Sequence, residues 1–450
     1  MRLLEKLEQP QTGIEVFFAG TYLRDVIRKK RPENIEVLIK SIDLWDLFEY
    51  FSGALKGQEV HYSAEDGSLR ISNIIIRVPR KEGKPDPSAG LRGDAKSQTF
   101  TLNAMYLPIK AGRQNLIDFY EGVEAIRDKQ IKTIAKADVA VKRNPVAITD
   151  ALTMAADMNY KLHPDLFHAI KENAEAISEL STERIKEMMT AILLSRKPSK
   201  HLKALHKLGI LVKIMPELAN CVGVSQNEKY HKYDVFEHCL IACDSTEPDL
   251  KLRLGALLHD VGKAATWKKI SKAGERRITF YNHEIVGSRL TKRILKRLGF
   301  EADFASEIAE LVYYHMYNFE PDKWTDAAVR RFIKKTGIEE KDLRNIESLP
   351  VFLIRKADRA ASGQDLSEIS PRQIEFQNRI RRVFDETKVF KVTDLAVSGA
   401  DVMKVFNLKP GPTVGRILEY LLGVVIEKQE LNSKEVLLEE ASKFLSNAIK

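Results

Sequence analysis

Cysteine is nearly absent from this sequence of 450 residues: Cys221, Cys239 and Cys243 are all there is. Three thiols make no disulfide framework, and their spacing is not that of a zinc motif. Cys239 and Cys243 share a helix face, as expected of buried free thiols. Long uncharged apolar runs are missing too, which excludes membrane-spanning helices. The opening Met1-Arg2-Leu3-Leu4-Glu5-Lys6 has no apolar signal core, so the expected location is cytoplasmic. Internal repeats, coiled-coil heptads and low-complexity stretches are likewise absent.

What remains is an ordinary globular composition, 44% hydrophobic and 30% charged, in a chain too long for one core. Three or four structural units are expected. The net charge of +9 and pI near 9.1 favour a phosphate-rich partner such as RNA.

The most informative stretch is residues 254–263, where an apolar helical run delivers His259-Asp260 and then stops at Gly262. A His beside an Asp offers one nitrogen and one oxygen to the same ion, and the carboxylate can bridge to a second. Five of the ten histidines fall between His231 and His315. Of these, His238, His283 and His315 lie in helical runs, as does Asp358 further on. Ligands carried by amphipathic helices are how a helical bundle builds a metal site in its core. The order His…His-Asp…His…His…Asp resembles the HD phosphohydrolase superfamily. That resemblance implies one metal on His238, His259, Asp260 and Asp358, and a second site completed by His283 and His315. It also implies one or two divalent ions, with Mn, Fe, Co, Ni and Mg all compatible with the donors. Asp260 is then the catalytic bridge, and Lys263, one turn on, is placed to contact a substrate phosphate.

Up to about residue 130 the pattern is mixed α/β. Residues 14–19 read as a strand that turns at Gly20-Thr21 into a helix, and residues 35–39, 69–71 and 74–78 as further strands. Residues 81–96, rich in Pro, Gly and charge, read as a mobile loop. An ordered element opens at 100–107, and beyond about 135 the pattern is helical and stays so. His163-Pro164 reads as a turn, while His201 and His206 read as surface-helix residues.

The order of elements along nearly the whole chain resembles bacterial tRNA nucleotidyltransferases (CCA-adding enzymes) and their poly(A) polymerase relatives. The family motif Gly-Gly-x-Val-Arg-Asp aligns with Gly20-Thr21-Tyr22-Leu23-Arg24-Asp25, and the following Asp-x-Asp with Asn34-Ile35-Glu36. The motif Arg-Arg-Asp-Phe-Thr-x-Asn-Ala aligns with residues 97–104, and residues 117–126 match the segment that closes the family's head. The three family carboxylates therefore correspond to Asn34, Glu36 and Thr99. Magnesium, strongly hydrated and demanding in geometry, should bind such a set poorly. In the neck, residues 144–153 keep none of the family's nucleotide-reading arginines. Glu-Arg-x-x-x-Glu survives as Glu183-Arg184, with Met188 last. Residues 205–211 and 215–218 resemble the family's neck-to-HD junction, and residues 399–403 and 408–416 its tail, where a Pro-Gly-Pro turn precedes a helix. Residues Arg24, Asp25, Arg184 and Arg416 are the implied RNA or nucleotide contacts, with basic runs at 291–298 and 379–382.

The expectation is a multidomain α+β protein: a nucleotidyltransferase-like head (1–135), a helical neck (136–225), an HD domain (226–365) and a helical tail (366–450). Its expected activity is metal-dependent phosphoester hydrolysis in the HD domain, with nucleotidyl transfer by the head doubtful. By analogy with HD-bearing relatives, 2′,3′-cyclic phosphates, nucleotides or RNA ends are the implied substrates. Two alternatives stand beside it: an active CCA- or A-adding tRNA nucleotidyltransferase, and a non-catalytic RNA-binding protein.

Overall fold

The computed structural model describes residues 13–54, 59–63, 67–226, 232–272, 275–317, 323–363 and 371–448; His231 lies outside them. The chain divides into two compact units, Met1–Pro216 and Glu217–Lys450.

The first unit opens on a seven-stranded sheet. Its strands are β1 (Glu15–Ala19), β2 (Ile35–Lys40), β3 (His61–Ser63), β4 (Ser68–Ile71), β5 (Ile74–Arg77), β6 (Met105–Pro108) and β7 (Ile117–Asp118), in spatial order β3-β4-β5-β2-β1-β6-β7. The β2–β5 pair is parallel and its neighbours are antiparallel. Alternation places successive side chains on opposite faces, so central strands buried on both sides read as unbroken apolar runs. One face buries Val16, Val37, Ile39 and Ile76 with Leu44, Leu47 and Phe51; the last three come from helix α2 (Leu44–Ala54). The other buries Phe17, Leu38 and Tyr106 against Ala95 of helix α3 (Gly90–Ser97). Between β1 and β2, helix α1 (Gly20–Ile27) starts directly from the strand, with Gly20 at φ +58°.

Three expectations need correction. Residues 81–96 are not a loop throughout: they form a tight hairpin (Arg80–Lys81 with Lys84–Pro85) and most of α3. Asp86 caps a short 3₁₀ turn by accepting from the Ser88 amide, while Asp94 and Ala95 are buried, a tertiary pull that composition does not register. Nor does the chain stay helical after 135, since a two-stranded hairpin of β8 (Lys268–Lys272) and β9 (Glu275–Thr279) interrupts it. His201 is buried on its helix rather than at the surface, whereas His206 is exposed. His163 caps the helix Pro164–Glu172, with its Nδ1 accepting from the Asp165 amide.

The second unit is otherwise helical. Helices α4 (Val235–Asp244), α5 (Leu250–Leu258), α6 (Lys263–Thr266), α7 (His283–Arg297), α8 (Ala302–Tyr314) and α9 (Pro350–Ala361) carry the histidine cluster. Asp234 caps α4 and Asp249 caps α5, each accepting an amide from the first turn. Beside them, Phe332, Phe352 and Phe376 anchor an aromatic core, and the last helices enclose a separate one around Val402, Ile417, Leu421 and Val425. Among the described residues, no helix is long and apolar enough to cross a membrane. All three cysteines are free and buried.

Phe376 is fully buried and meets Phe332 at 5.0 Å and Trp324 at 5.0 Å between ring centroids. Phe376→Ala is expected to lower the unfolding free energy of this unit by about 3–5 kcal/mol. Urea unfolding followed by tryptophan fluorescence checks this; an unchanged midpoint would mean that the ring stack is not structural.

Candidate metal centre

The histidine cluster begins with how closely its helices approach. Ala242 on α4, Ala256 on α5 and Ala357 and Ala361 on α9 form one buried small-residue contact. Such side chains let three helix backbones pack closely, and each lies within four residues of a ligand candidate. His238 sits on α4, His259 ends α5, and Asp358 follows Ala357 on α9. On the far side, Gly262 meets the start of α7, where a Cβ would lie 2.1 Å from the His283 carbonyl oxygen and 2.6 Å from the Gly287 nitrogen. Only a glycine lets the chain after His259-Asp260 touch that backbone. His283 is the first residue of α7 and His315 ends α8.

All six expected ligands converge. The Nε2 of His238 lies 3.1 Å from the Nε2 of His259 and 3.1 Å from Asp358 Oδ1. Asp260 stands between two sets: its Oδ2 is 3.2 Å from His259 and 3.4 Å from His238, and its Oδ1 is 3.3 Å from His283 and 3.5 Å from His315. Two ligand groups result, His238–His259–Asp260–Asp358 and Asp260–His283–His315, with the donor atoms of each within 4.8 Å of one another.

The imidazoles are aimed. The Nδ1 groups of His259, His283 and His315 donate to the carbonyls of Ala256, Phe280 and Val312 at 2.7, 2.8 and 2.6 Å. Fixing Nδ1–H on a carbonyl leaves the Nε2 lone pair for an ion. Asp260 Oδ1, His283 Nε2 and His315 Nε2 are buried and make no hydrogen bond. Leaving each of these groups unmatched costs about 1–3 kcal/mol, and a divalent ion removes that cost. Burial opposes charge on His259, yet Asp260 and Asp358 hold its pKa up at about 10, so without an ion its Nε2 carries a proton that a bound cation displaces. Burial pushes the His315 ring below its usual range, which favours the neutral, ligating form. Burial also disfavours the Asp260 carboxylate, but Lys263 and His259 hold it well below the usual carboxylate range. The residues fit one or two divalent ions, and an ion bound here supplies a Lewis acid for a phosphate oxygen.

Lys263 is buried, its Nζ 2.6 Å from Asp260 Oδ2 and donating to Gln226 Oε1 at 2.7 Å, with the ammonium over the Phe280 ring. It holds the bridging carboxylate, a closer task than reaching out to substrate. Sequence reading missed Gln226 and also Arg355, which donates to Asp358 Oδ2 and to the His315 carbonyl, both at 3.3 Å. No local pattern marks either; they act through the fold.

The other expected contacts are dispersed. In the head, Arg24 grips Asp25 at 3.0 and 3.2 Å and reaches Asn103 at 3.4 Å. Glu36 is held over the Gly20–Thr21 turn: its Oε2 accepts from the Thr21 amide at 3.0 Å and its Oε1 from Arg77 Nε at 2.9 Å. Asn34 is half-buried at the start of β2, and the Thr99 carbonyl accepts from the Ile134 amide. Arg184 lies 3.7 Å from Asp150 and 3.8 Å from Glu187, and Arg416 donates to Thr413. Within the basic runs, Arg293 and Arg297 pair with Glu217, and Arg379 and Arg382 with Asp326.

Three family models match in order: "Poly A polymerase head domain" over residues 16–132, "Probable RNA and SrmB- binding site of polymerase A" over 159–222, and "HD domain" over 229–362. An A-adding tRNA nucleotidyltransferase of Deinococcus radiodurans is 29% identical over 74% of this chain and 74% of its own length. A CCA-adding enzyme of Lactococcus lactis subsp. cremoris is 21% identical over 98% and 95%. The solved Bacillus stearothermophilus CCA-adding enzyme in complex with CTP has the same fold, with a TM-score of 0.60 and 18% identity, covering 99% of this chain and 97% of its own. These relatives are named for nucleotidyl transfer, which overturns the expectation that hydrolysis is the main activity and transfer doubtful. That expectation counted carboxylates at three aligned positions.

Chelation of divalent metal is expected to lower the melting temperature of the wild type, because an ion that binds only the folded state stabilises it. In Asp260→Asn the same chelation should shift melting little. Equal shifts in both proteins would place the metal elsewhere. Gly262→Ala is expected to weaken metal affinity at least about tenfold, since disturbing the groups that orient a ligand costs that much; titration against a competing chelator reads it.

Proposed function

The chain belongs to the tRNA nucleotidyltransferase and poly(A) polymerase family in its HD-bearing form, and on that premise we propose that it adds nucleotides to the 3′ end of tRNA, as an A- or CCA-adding enzyme. The observation that carries this reading is the head. A strand ends at Ala19 and a helix carrying Arg24-Asp25 opens on Gly20-Thr21, with the Glu36 carboxylate of the adjacent strand lying over the turn. A helix N-terminus beside a glycine turn is suited to phosphate, because its first amides have no partner within the helix.

RNA contact falls to the neck. A cleft of about 740 Å³ between the helices Ala137–Arg143 and Pro164–Glu172 is lined by Lys136, Lys142 and His168 together with Asp138, Asp165 and Glu172, and part of it falls within the stretch matched by the RNA-binding model. Three carboxylates offset the two lysines there, so the support for RNA contact is the matched RNA-binding model and not the charge of the cleft. The HD unit contributes a divalent metal centre on His238, His259, Asp260, His283, His315 and Asp358, braced by Lys263.

The test is transfer itself. Purified full-length chain is incubated with labelled ATP or CTP and tRNA ending either before the CCA or after its second C. AMP on the longer acceptor alone identifies A addition, and CMP followed by AMP on the shorter one identifies CCA addition. No label from either nucleotide on either acceptor would refute transfer and leave RNA binding as the reading.

A further inference from the structure

The hairpin of β8 and β9 carries far more than its share of charge. Positions 268–279 hold Lys268, Lys269, Lys272, Arg276 and Arg277 against Glu275 alone, a net +4 of the chain's +9. Aromatic residues bracket it: Trp267 precedes β8, and Phe280-Tyr281 follows β9. Trp267 and Tyr281 are exposed, Tyr281 to 71%. The Lys269 ammonium lies over the Trp267 ring at 5.4 Å, because residues two apart in extended chain share a face. A second pair of this kind has the exposed Tyr233 under the Lys232 ammonium at 5.8 Å.

Both rings hang on one short segment. The Trp267 Nε1 donates to the Ser225 carbonyl at 3.3 Å, and the next residue, Gln226, donates through Nε2 to the Tyr233 carbonyl at 3.3 Å. Gln226 also accepts from Lys263, which contacts the bridging Asp260. At the far end of the hairpin, the Phe280 carbonyl accepts from His283 Nδ1. The surface is thus fastened at both ends to the histidine cluster. Lysines alone would suit any polyanion, but the rings make a second demand. An acidic peptide would neutralise the cations and leave the rings uncovered. A nucleic-acid duplex offers its backbone and keeps its bases stacked inside. An unpaired strand meets both demands, with phosphates on the ammonium groups and the π-faces of its bases on the rings.

We propose that the β8–β9 hairpin and the adjoining Lys232-Tyr233 bind an unpaired RNA strand beside the histidine cluster. Trp267, Tyr281 and Tyr233 are its stacking rings, and Lys232, Lys268 and Lys269 its phosphate contacts. The choice of RNA over DNA rests on the proposed action on tRNA, while the surface itself does not depend on transfer by the head. Binding is read with no nucleotide present, so its failure leaves transfer untouched, and a failure of transfer leaves the binding result standing.

Fluorescence anisotropy measures binding of a labelled, unstructured RNA of about ten nucleotides, a length within the usual span of such sites, to the full chain. Trp267→Ala is expected to weaken it at least about fivefold, the loss of one stacked base. Trp267→Phe keeps a ring but not the indole N–H, and should bind as the wild type does. A phenylalanine variant as weak as the alanine one would mean that Trp267 acts only through Ser225, and overturns stacking. Tyr281→Ala, at a ring the fold leaves in solvent, should weaken binding alike and stands in if Trp267→Ala does not fold. Lys269→Ala should lower the slope of log affinity against log salt by about 0.7, one phosphate contact. With 4-thiouridine in the strand, photocrosslinks are expected between Trp267 and Tyr281. Unchanged affinity in both alanine variants, or crosslinks confined to the neck, overturns the proposal. So does equal binding of a duplex of the same length, tighter binding of the matching DNA strand, or displacement of the RNA by an equal concentration of polyglutamate, which would point to an acidic protein.

Discussion

A buried carboxylate with too few donors is the constraint on which the second unit depends. Asp260 is 1% exposed, sits between two pairs of imidazoles, and its Oδ1 has no hydrogen bond. Burying such a charge is costly unless it is matched. The surrounding fold is consistent with a cation as that match. Three helices close on alanine contacts, Gly262 lets the chain touch the start of α7, and three imidazoles are held through Nδ1 with Nε2 facing inward. Lys263 and Arg355 hold the two carboxylates from outside, Lys263 itself steadied by Gln226.

The head shows a different solution to a similar problem. There the carboxylate has every donor it needs, supplied by Thr21 and Arg77. Burial alone would raise the Glu36 pKa, yet the Arg77 guanidinium and the Thr21 donors leave it below the usual range. Arg77 in turn is held charged by Asp94 and Glu36 against its own burial. The two units thus treat acids in opposite ways, one leaving donor atoms open and the other closing them off.

The convergence of the six side chains was legible in the sequence because each interrupts an apolar helical run, and such interruptions are visible without a structure. The β1–α1 turn was legible for the same reason, through Gly20 and the strand before it. Residues 81–96 misled because a hairpin and a helix rich in Gly, Pro and charge read as a loop until Asp94 is seen to be buried. The roles of Gln226, Arg355 and Arg77 were not legible, since each depends on a partner far along the chain: Lys263, the His315 carbonyl and Glu36. The judgement on transfer is overturned by the names of the relatives and not by any contact in the head, where Glu36 stays paired with Arg77.

The measurement that tests the metal account most directly is anomalous diffraction from crystals of the full chain grown with manganese. The account predicts a peak among His238, His259, Asp260 and Asp358, with a second beside His283 and His315 if both positions fill. Density without an anomalous peak there, at manganese concentrations that saturate other sites, would contradict it and make the cluster a purely structural hydrogen-bonded core.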